Sequence, residues 1–206
     1  FKEGEYHTWT DEQVTQFEAR WPLGTRQRTA FALALYTGQR RGDLARMTWS
    51  DINTVRSTIA VVQEKTGARL RITLHSKLQL ALAAWERKHM VILATAYGRA
   101  PTAAGFGNYM AEAFDAADLP QECVLHGIRK AAARRLAEAG CSTRQIMAIT
   151  GHKSLEEVER YTREAEQERG AAAAIARLEE HNEDENSQTT DQKFPNPGKQ
   201  SGKSGG

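Results

Sequence analysis

TIAVVQ at 58–63 and RLRITL at 69–74 are two β-branched runs placed either side of Lys65-Thr66-Gly67. Alternating branched residues around a short glycine-containing turn read as an antiparallel hairpin. A further strand near 51–55 would complete a three-stranded antiparallel sheet. What surrounds this hairpin is helical. Upstream, Thr10 with Gln13 forms a capping box, so a helix is expected from there to about Arg20. GTRQRTAFALALY at 24–36 carries an apolar stripe through Phe31 and Leu35 and reads as a buried helix ended by Thr37-Gly38; a short helix follows at 41–47. Downstream, helices are expected at 76–89, 105–117, 127–139, 143–149, 154–161 and 163–179, with a connection at 90–103 containing Gly98 and Pro101. Ser142 with Gln145 and Ser154 with Glu157 are two more capping boxes, and they place His152 in the turn between two helices. The fold class is therefore mainly α with a small three-stranded antiparallel β-sheet (α+β).

The organisation is one domain over 1–180 followed by a disordered polar tail at 181–206, which is polar and then rich in Gly, Ser, Pro and Lys. Hydrophobic residues make up 40% of the chain, enough for one core, and no run of about 18 apolar residues suggests a membrane span. No secretory signal precedes the first helix. The chain begins at Phe1 and reads as a fragment of a longer protein. Cys123 and Cys141 form neither a C-x-x-C pair nor a disulfide framework, which fits a reducing cytoplasm.

The net charge of +2 says little, but its distribution says more. Between 126 and 153 stand six Lys or Arg residues against one acid, Glu138, and between 26 and 46 five arginines against Asp43. Between 156 and 185 the balance reverses, to eleven acids against four arginines. A locally basic surface attracts phosphate. The first basic block holds LHGIRK at 125–130 and TGH at 150–152, and Tyr161 follows. Two histidines, an arginine and a tyrosine are thus gathered with nothing resembling a metal site or a serine triad. A tyrosine hydroxyl among cationic donors suits attack on a phosphodiester.

TGQRRGDL at 37–44 resembles the first box of the tyrosine recombinases, LHGIRK their second, and TGH with a tyrosine nine residues beyond the histidine their third. Lys65 falls where that family carries a β-strand lysine. The resemblance spans about 9–179 and departs in three places: Asp43 stands for a commoner Glu, Thr150 for the usual Leu before Gly-His, and Gly127 for a frequent Asp. It implies the catalytic-domain fold of that family and the catalytic set Arg40, Lys65, His126, Arg129, His152 and Tyr161. Arg40 and Arg129 would stabilise the charge on the non-bridging oxygens of a pentavalent phosphorus, each worth about 2–4 kcal/mol in the transition state. Tyr161 would be the nucleophile. Its hydroxyl needs activation at neutral pH, and nearby cations are expected to ease phenolate formation while a histidine accepts the proton. Lys65 would protonate the leaving 5′ oxygen. His126 would assist as an acid or base, and His152 would hydrogen-bond the phosphate. Asp43 is expected to buttress Arg40 or its helix, and His75 and His89 to be structural.

The function so implied is site-specific DNA recombination, integrating or excising a mobile element, by cleavage and rejoining through a 3′-phosphotyrosyl intermediate. Exchange of one ester for another requires neither ATP nor metal, so no cofactor and no metal are expected. The alternatives are a type IB topoisomerase, which swivels one duplex, and a non-catalytic DNA-binding module. The partner is a double-stranded DNA attachment or recombination site, bound as a homo-tetramer, with a monomer in isolation and no membrane. The location is the cytoplasm of a bacterial host cell, in association with its nucleoid. The family's N-terminal core-binding domain is apparently absent from this chain, and the Ala-rich stretch 171–178 resembles the C-terminal helix that packs into a neighbouring protomer.

Overall fold

The computed structural model describes residues 6–190, apart from the side chains of 164, 165 and 182–190. Helices α1 (Asp11–Arg20), α2 (Arg26–Thr37) and α3 (Arg41–Arg46) lead through a 3₁₀ turn at Trp49–Asp51 into strands β1 (Ile52–Asn53), β2 (Thr58–Val62) and β3 (Arg69–Thr73). Helices α4 (Ser76–Ala84), α5 (Ala103–Asp115), α6 (Leu125–Glu138), α7 (Thr143–Thr150) and α8 (Leu155–Thr190) complete the order. The sheet is antiparallel in the order β1-β2-β3, with Ile59 opposite Ile72 and Ile52 opposite Ile59. The mainly helical fold with one small antiparallel sheet is thus present, and the hairpin sits where its branched residues put it.

Local chemistry sets most boundaries. Thr10 and Gln13 cap α1 reciprocally, at 3.3 and 3.0 Å, and Ser142 with Gln145 does the same for α7. Helix α2 is the central element: Ala30 through Leu35 are all buried, and it packs against α4 and α6. Its surroundings centre on Trp9, Phe17, Phe31 and Phe114, whose rings meet at 4.4 to 6.2 Å. Burial of each such ring contributes about 1.5–3 kcal/mol. On β2 the inward side is Ile59 and Val61, which alternate with more exposed neighbours and bury one face of the sheet.

Four expectations are corrected. Helix α6 begins at Leu125 rather than 127, which brings His126 into its first turn. Helix α4 stops at Ala84, where the Trp85 indole turns back to donate to the Ile92 carbonyl at 2.7 Å. The two helices expected at 154–161 and 163–179 are one helix, α8, because no glycine or proline stands at their junction and Thr162 between them is buried. That helix also runs to Thr190, past the point at 181 where an unstructured tail was expected, since extension of an existing helix adds one hydrogen bond per residue without a new nucleus. The remainder of the expected tail, 191–206, lies outside the described residues. The chain divides into two compact units, one through Glu166 and one from Gln167; the described part of the second is the continuation of α8.

A second, smaller apolar cluster joins α6, α7 and the start of α8: Ala133, Ala137, Ile146 and Val158, with Tyr161 against it. The ring of Tyr161 is half-buried on this cluster.

Candidate active site

Two Thr-Gly corners define the site. Helix α2 ends at Thr37-Gly38 and helix α7 at Thr150-Gly151, each glycine in the left-handed region at φ +62° and +67°. Thr37 and Thr150 also match, each hydroxyl donating to the carbonyl four residues back, Leu33 at 2.6 Å and Ile146 at 2.8 Å. A helix C-terminus leaves carbonyls without partners and carries partial negative charge. Both sets of carbonyls are collected by side chains. The Gln39 amide donates to Thr37 and Ile149 carbonyls at 2.7 and 2.8 Å. The Arg129 NH1 donates to the carbonyls of Gly38 and Thr150, the latter at 2.7 Å. One guanidinium nitrogen thereby binds the ends of two helices.

The other end of that fork is the reactive part. Arg129 is 3% exposed, and its NH2 is buried without a partner. A buried donor on a cation is costly to leave unmade, so this nitrogen is suited to an anionic acceptor. Burial, and next the Arg40 guanidinium, push the Arg129 pKa down to about 10. Arg40 is the N-cap of α3, and its NH1 donates to Gln63 Oε1 at 3.1 Å. Arg40, Lys65, His126 and Arg129 line one cleft of about 580 Å³ with Asp43, Asn108 and Tyr6. Lys65 is exposed in the hairpin turn, as the sequence placed it. The ring of His126 lies 4.7 Å from that of Tyr6. Burial of its surroundings, then Arg129 and Lys130, lower its pKa.

Asp43 does not buttress Arg40 directly. Its Oδ1 accepts from the Glu64 backbone N–H at 2.9 Å and from Arg46 at 3.1 Å, so it ties α3 to the hairpin turn. His75 is structural as expected: it caps α4 and stacks on Tyr36 at 4.4 Å. Gly127 has a steric cause. A Cβ there would stand 2.3 Å from the His7 carbonyl oxygen and 2.8 Å from the Trp9 ring, because residues 7–9 cross the start of α6.

His152 and Tyr161 depart from expectation in their protonation. His152 is 6% exposed, and burial, Arg129, Arg40 and His126 together push its pKa down to about 3. It is therefore a neutral imidazole at pH 7 rather than a group poised near neutrality. Its Nδ1 lies 2.7 Å from the Thr150 hydroxyl, which donates its only proton to Ile146. Both contacts are hydrogen bonds together only if Nδ1 carries the imidazole proton. Nε2 is then a bare acceptor, facing Glu157 Oε1 at 3.6 Å. Tyr161 is raised rather than eased: burial, and next the Glu157 carboxylate, outweigh Arg160 and Arg129. The nearby cations exist, but desolvation of the phenolate dominates.

The sequence reading missed Gln39, Gln63 and Glu157. Gln63 had a usable signal: it occupies the next inward position after Ile59 and Val61 on β2, where a polar residue must find partners inside. Gln39 and Glu157 had none beyond proximity to the boxes. Among the described residues, no group of three or more His, Cys, Asp or Glu side chains converges as a metal site.

The phage integrase family model matches residues 10–168. The integrase of Escherichia phage HK022 is 48% identical over 64 residues, covering 31% of this chain and 17% of that protein. Tyrosine recombinase XerC 2 of Ralstonia nicotianae is 27% identical over 155 residues, covering 68% of this chain and 43% of that protein. Among solved structures, a phage lambda integrase dimer (residues 75–356) bound to a COC′ core site superposes with a TM-score of 0.65 at 26% identity, covering 78% of this chain and 61% of that one. The chain spans less than two thirds of the length of each of these relatives. With a family model over most of its length and the helical fold and hairpin of the lambda enzyme, the chain belongs to the phage integrase family of tyrosine recombinases.

Proposed function

We propose that this chain is the catalytic domain of a site-specific recombinase that integrates or excises a mobile element, cleaving DNA through Tyr161. The scissile phosphate binds in the cleft, its non-bridging oxygens taken by Arg40 and the unpartnered Arg129 NH2. The carrying observation is that NH2: a buried cationic donor with no partner, aimed from a guanidinium whose other nitrogen is already used. Tyr161 Oη attacks phosphorus and passes its proton to the bare Nε2 of His152, which becomes a competent acceptor once the bound phosphate offsets the Arg129 and Arg40 charges that add to burial in holding its pKa down in the free protein. The P–O5′ bond breaks as Lys65 Nζ gives a proton to the departing oxygen. The product is a 3′-phosphotyrosyl ester of energy similar to the original diester, so a free 5′-hydroxyl can reverse the sequence without ATP or metal. His126 supplies a further donor to the phosphate.

The lambda integrase structure on its core site supports DNA as the substrate. Recombination of two duplexes needs four strand cleavages, one tyrosine each, which is the basis for a homo-tetramer on DNA assembled from monomers. No helix among the described residues is long and apolar enough to cross a membrane. The stretch 171–178 lies within α8, with Ile175 and Leu178 exposed, and would pack on a neighbouring protomer in that tetramer.

The test is selection of SDS-resistant covalent adducts from nicked duplexes of randomised sequence. Wild type should yield an adduct and Tyr161→Phe none, with DNA binding retained. No adduct from wild type would leave only a DNA-binding module. With the recovered site on two labelled duplexes, recombinant products support a recombinase, whereas relaxation of supercoils alone would indicate a topoisomerase.

A further inference from the structure

We infer that Gln63 is a positioning residue that holds the Arg40 guanidinium, the Lys65 turn and the His152 corner in one register. The inference rests on the chemistry proposed for Tyr161. Gln63 is wholly buried, directly after the end of β2, and uses every polar valence of its side chain. Its Nε2 donates to Gln39 Oε1 at 2.7 Å and to the Thr150 carbonyl at 2.8 Å. Its Oε1 accepts from Arg40 NH1 at 3.1 Å and from the Thr66 hydroxyl at 2.7 Å. The amide orientation is unambiguous, because the Thr150 carbonyl can only accept and Arg40 can only donate.

Each arm reaches a different part of the site. Arg40 is one of the two guanidinium groups of the cleft. Thr66 neighbours Lys65, and the Gln63 carbonyl also receives the Gly67 N–H at 2.8 Å, so the lysine turn is tied at both ends to Gln63. Thr150 is shared with Arg129 and precedes Gly151-His152. Gly151 has no room for a side chain for the same reason: a Cβ there would stand 2.4 Å from Gln63 Nε2. The hairpin and the α7 corner are distant in sequence, and the Gln63 amide is hydrogen-bonded to both. A fully satisfied buried network has a single geometry, whereas a broken one leaves orphaned polar groups. Displacement of a reacting group by about 1 Å can cost roughly 100-fold in rate.

Two variants test this on a recovered nicked duplex, with single-turnover adduct formation as the readout. Gln63→Met keeps the volume and removes all four bonds. It should slow the covalent step by about 10–100-fold while DNA affinity stays close to wild type. Added to Arg40→Ala, the same change should cost much less than it does alone, because part of its effect passes through Arg40. Thr66→Val removes the Gln63 and Ala68 bonds of the Thr66 hydroxyl, both within the turn, and leaves the buried Gln63 side chain in place. It should slow cleavage of the normal diester and leave a 5′-bridging phosphorothiolate nearly unaffected, since a departing thiolate needs no proton from Lys65. A merely structural defect would slow both substrates alike. Equal slowing of both by Thr66→Val, a wild-type rate for Gln63→Met, or full additivity with Arg40→Ala would each overturn the inference while wild type still forms its adduct. Absence of that adduct would overturn the Tyr161 chemistry itself, and this inference with it.

Discussion

Glu157 Oε1 lies 3.6 Å from His152 Nε2, on the helix that presents Tyr161 one turn later. The carboxylate is half-exposed while the imidazole is 3% exposed, so the acid reaches the buried ring from the solvent side. It opposes phenolate formation at Tyr161 and offsets the positive charge of Arg129 and His126. Glu157→Gln should therefore shift the alkaline limb of the cleavage-rate profile to lower pH and raise the neutral-pH rate. Because the carboxylate is exposed, couplings of about 0.2–1 kcal/mol set the gain at no more than roughly five-fold. A slower variant with an unmoved limb would contradict this.

His152 makes the fold acid-sensitive. Its folded pKa, about 3, lies below the ordinary histidine value of 6.5. The unfolded chain then binds more protons between those two pH values, so stability rises with pH across that window. At pH 7 both states are neutral and nothing is lost. As pH falls below about 6.5, stability should decline, by on the order of 2 kcal/mol near pH 4–5. Arg129, Arg40 and His126 disfavour the imidazolium more than half-exposed Glu157 supports it. Chemical denaturation from pH 7 to 4 should show this slope in wild type and a flatter one in His152→Asn.

Thr150 sets the tautomer of His152. In wild type, ¹⁵N NMR should find the proton on Nδ1 and none on Nε2. Thr150→Val keeps the shape, deletes the acceptor and leaves Nδ1 without a partner, at a cost of about 1–3 kcal/mol. The imidazole should then move its proton to Nε2, and the covalent step should slow because the tyrosine loses its acceptor. An unchanged tautomer in the variant would remove this role for the hydroxyl.

Arg129→Lys keeps the charge but not the fork. One ammonium cannot bind the Gly38 and Thr150 carbonyls and also meet a phosphate in the plane that NH2 occupies. The covalent step should fall about 100- to 1,000-fold, with weaker binding of the two Thr-Gly corners seen as a lower melting temperature. Recovery of near wild-type cleavage would show that charge alone suffices.

Gly127→Ala places a Cβ against the His7 carbonyl and the Trp9 ring. The backbone oxygen cannot yield without moving the Tyr6–Trp9 segment, so the variant should lose about 1–3 kcal/mol of stability and loosen Tyr6 from His126. Thermal unfolding and protease sensitivity near the N-terminus would register it.

Much of this was legible in the residues. Capping boxes at Thr10 and Ser142, the branched runs around Lys65-Thr66-Gly67 and the two Thr-Gly helix ends are local signals, each governed by neighbours within four positions. They sufficed for the fold class; the six candidate residues came from the resemblance to the tyrosine recombinases, and four of them line one cleft. The junction between 161 and 163 was misread because Thr162 looks like a boundary residue, and only its burial shows that the helix passes through it. Asp43 supports its own helix through Arg46, as expected, but its tie to the Glu64 N–H in the hairpin turn has no local signal.

The chain's own order of residues determined which groups exist and on what elements they ride: arginines after a helix end, a lysine in a β-turn, a histidine in a corner, a tyrosine one helical turn beyond an acid. Only the tertiary structure decided their states. That Arg129 has one nitrogen spent on two helix termini and one unspent, that His152 is neutral with Nε2 bare, and that Tyr161 resists ionisation all follow from burial and from charges distant in sequence. Desolvation and Coulomb interaction depend on where groups meet in space, and local periodicity carries no record of that.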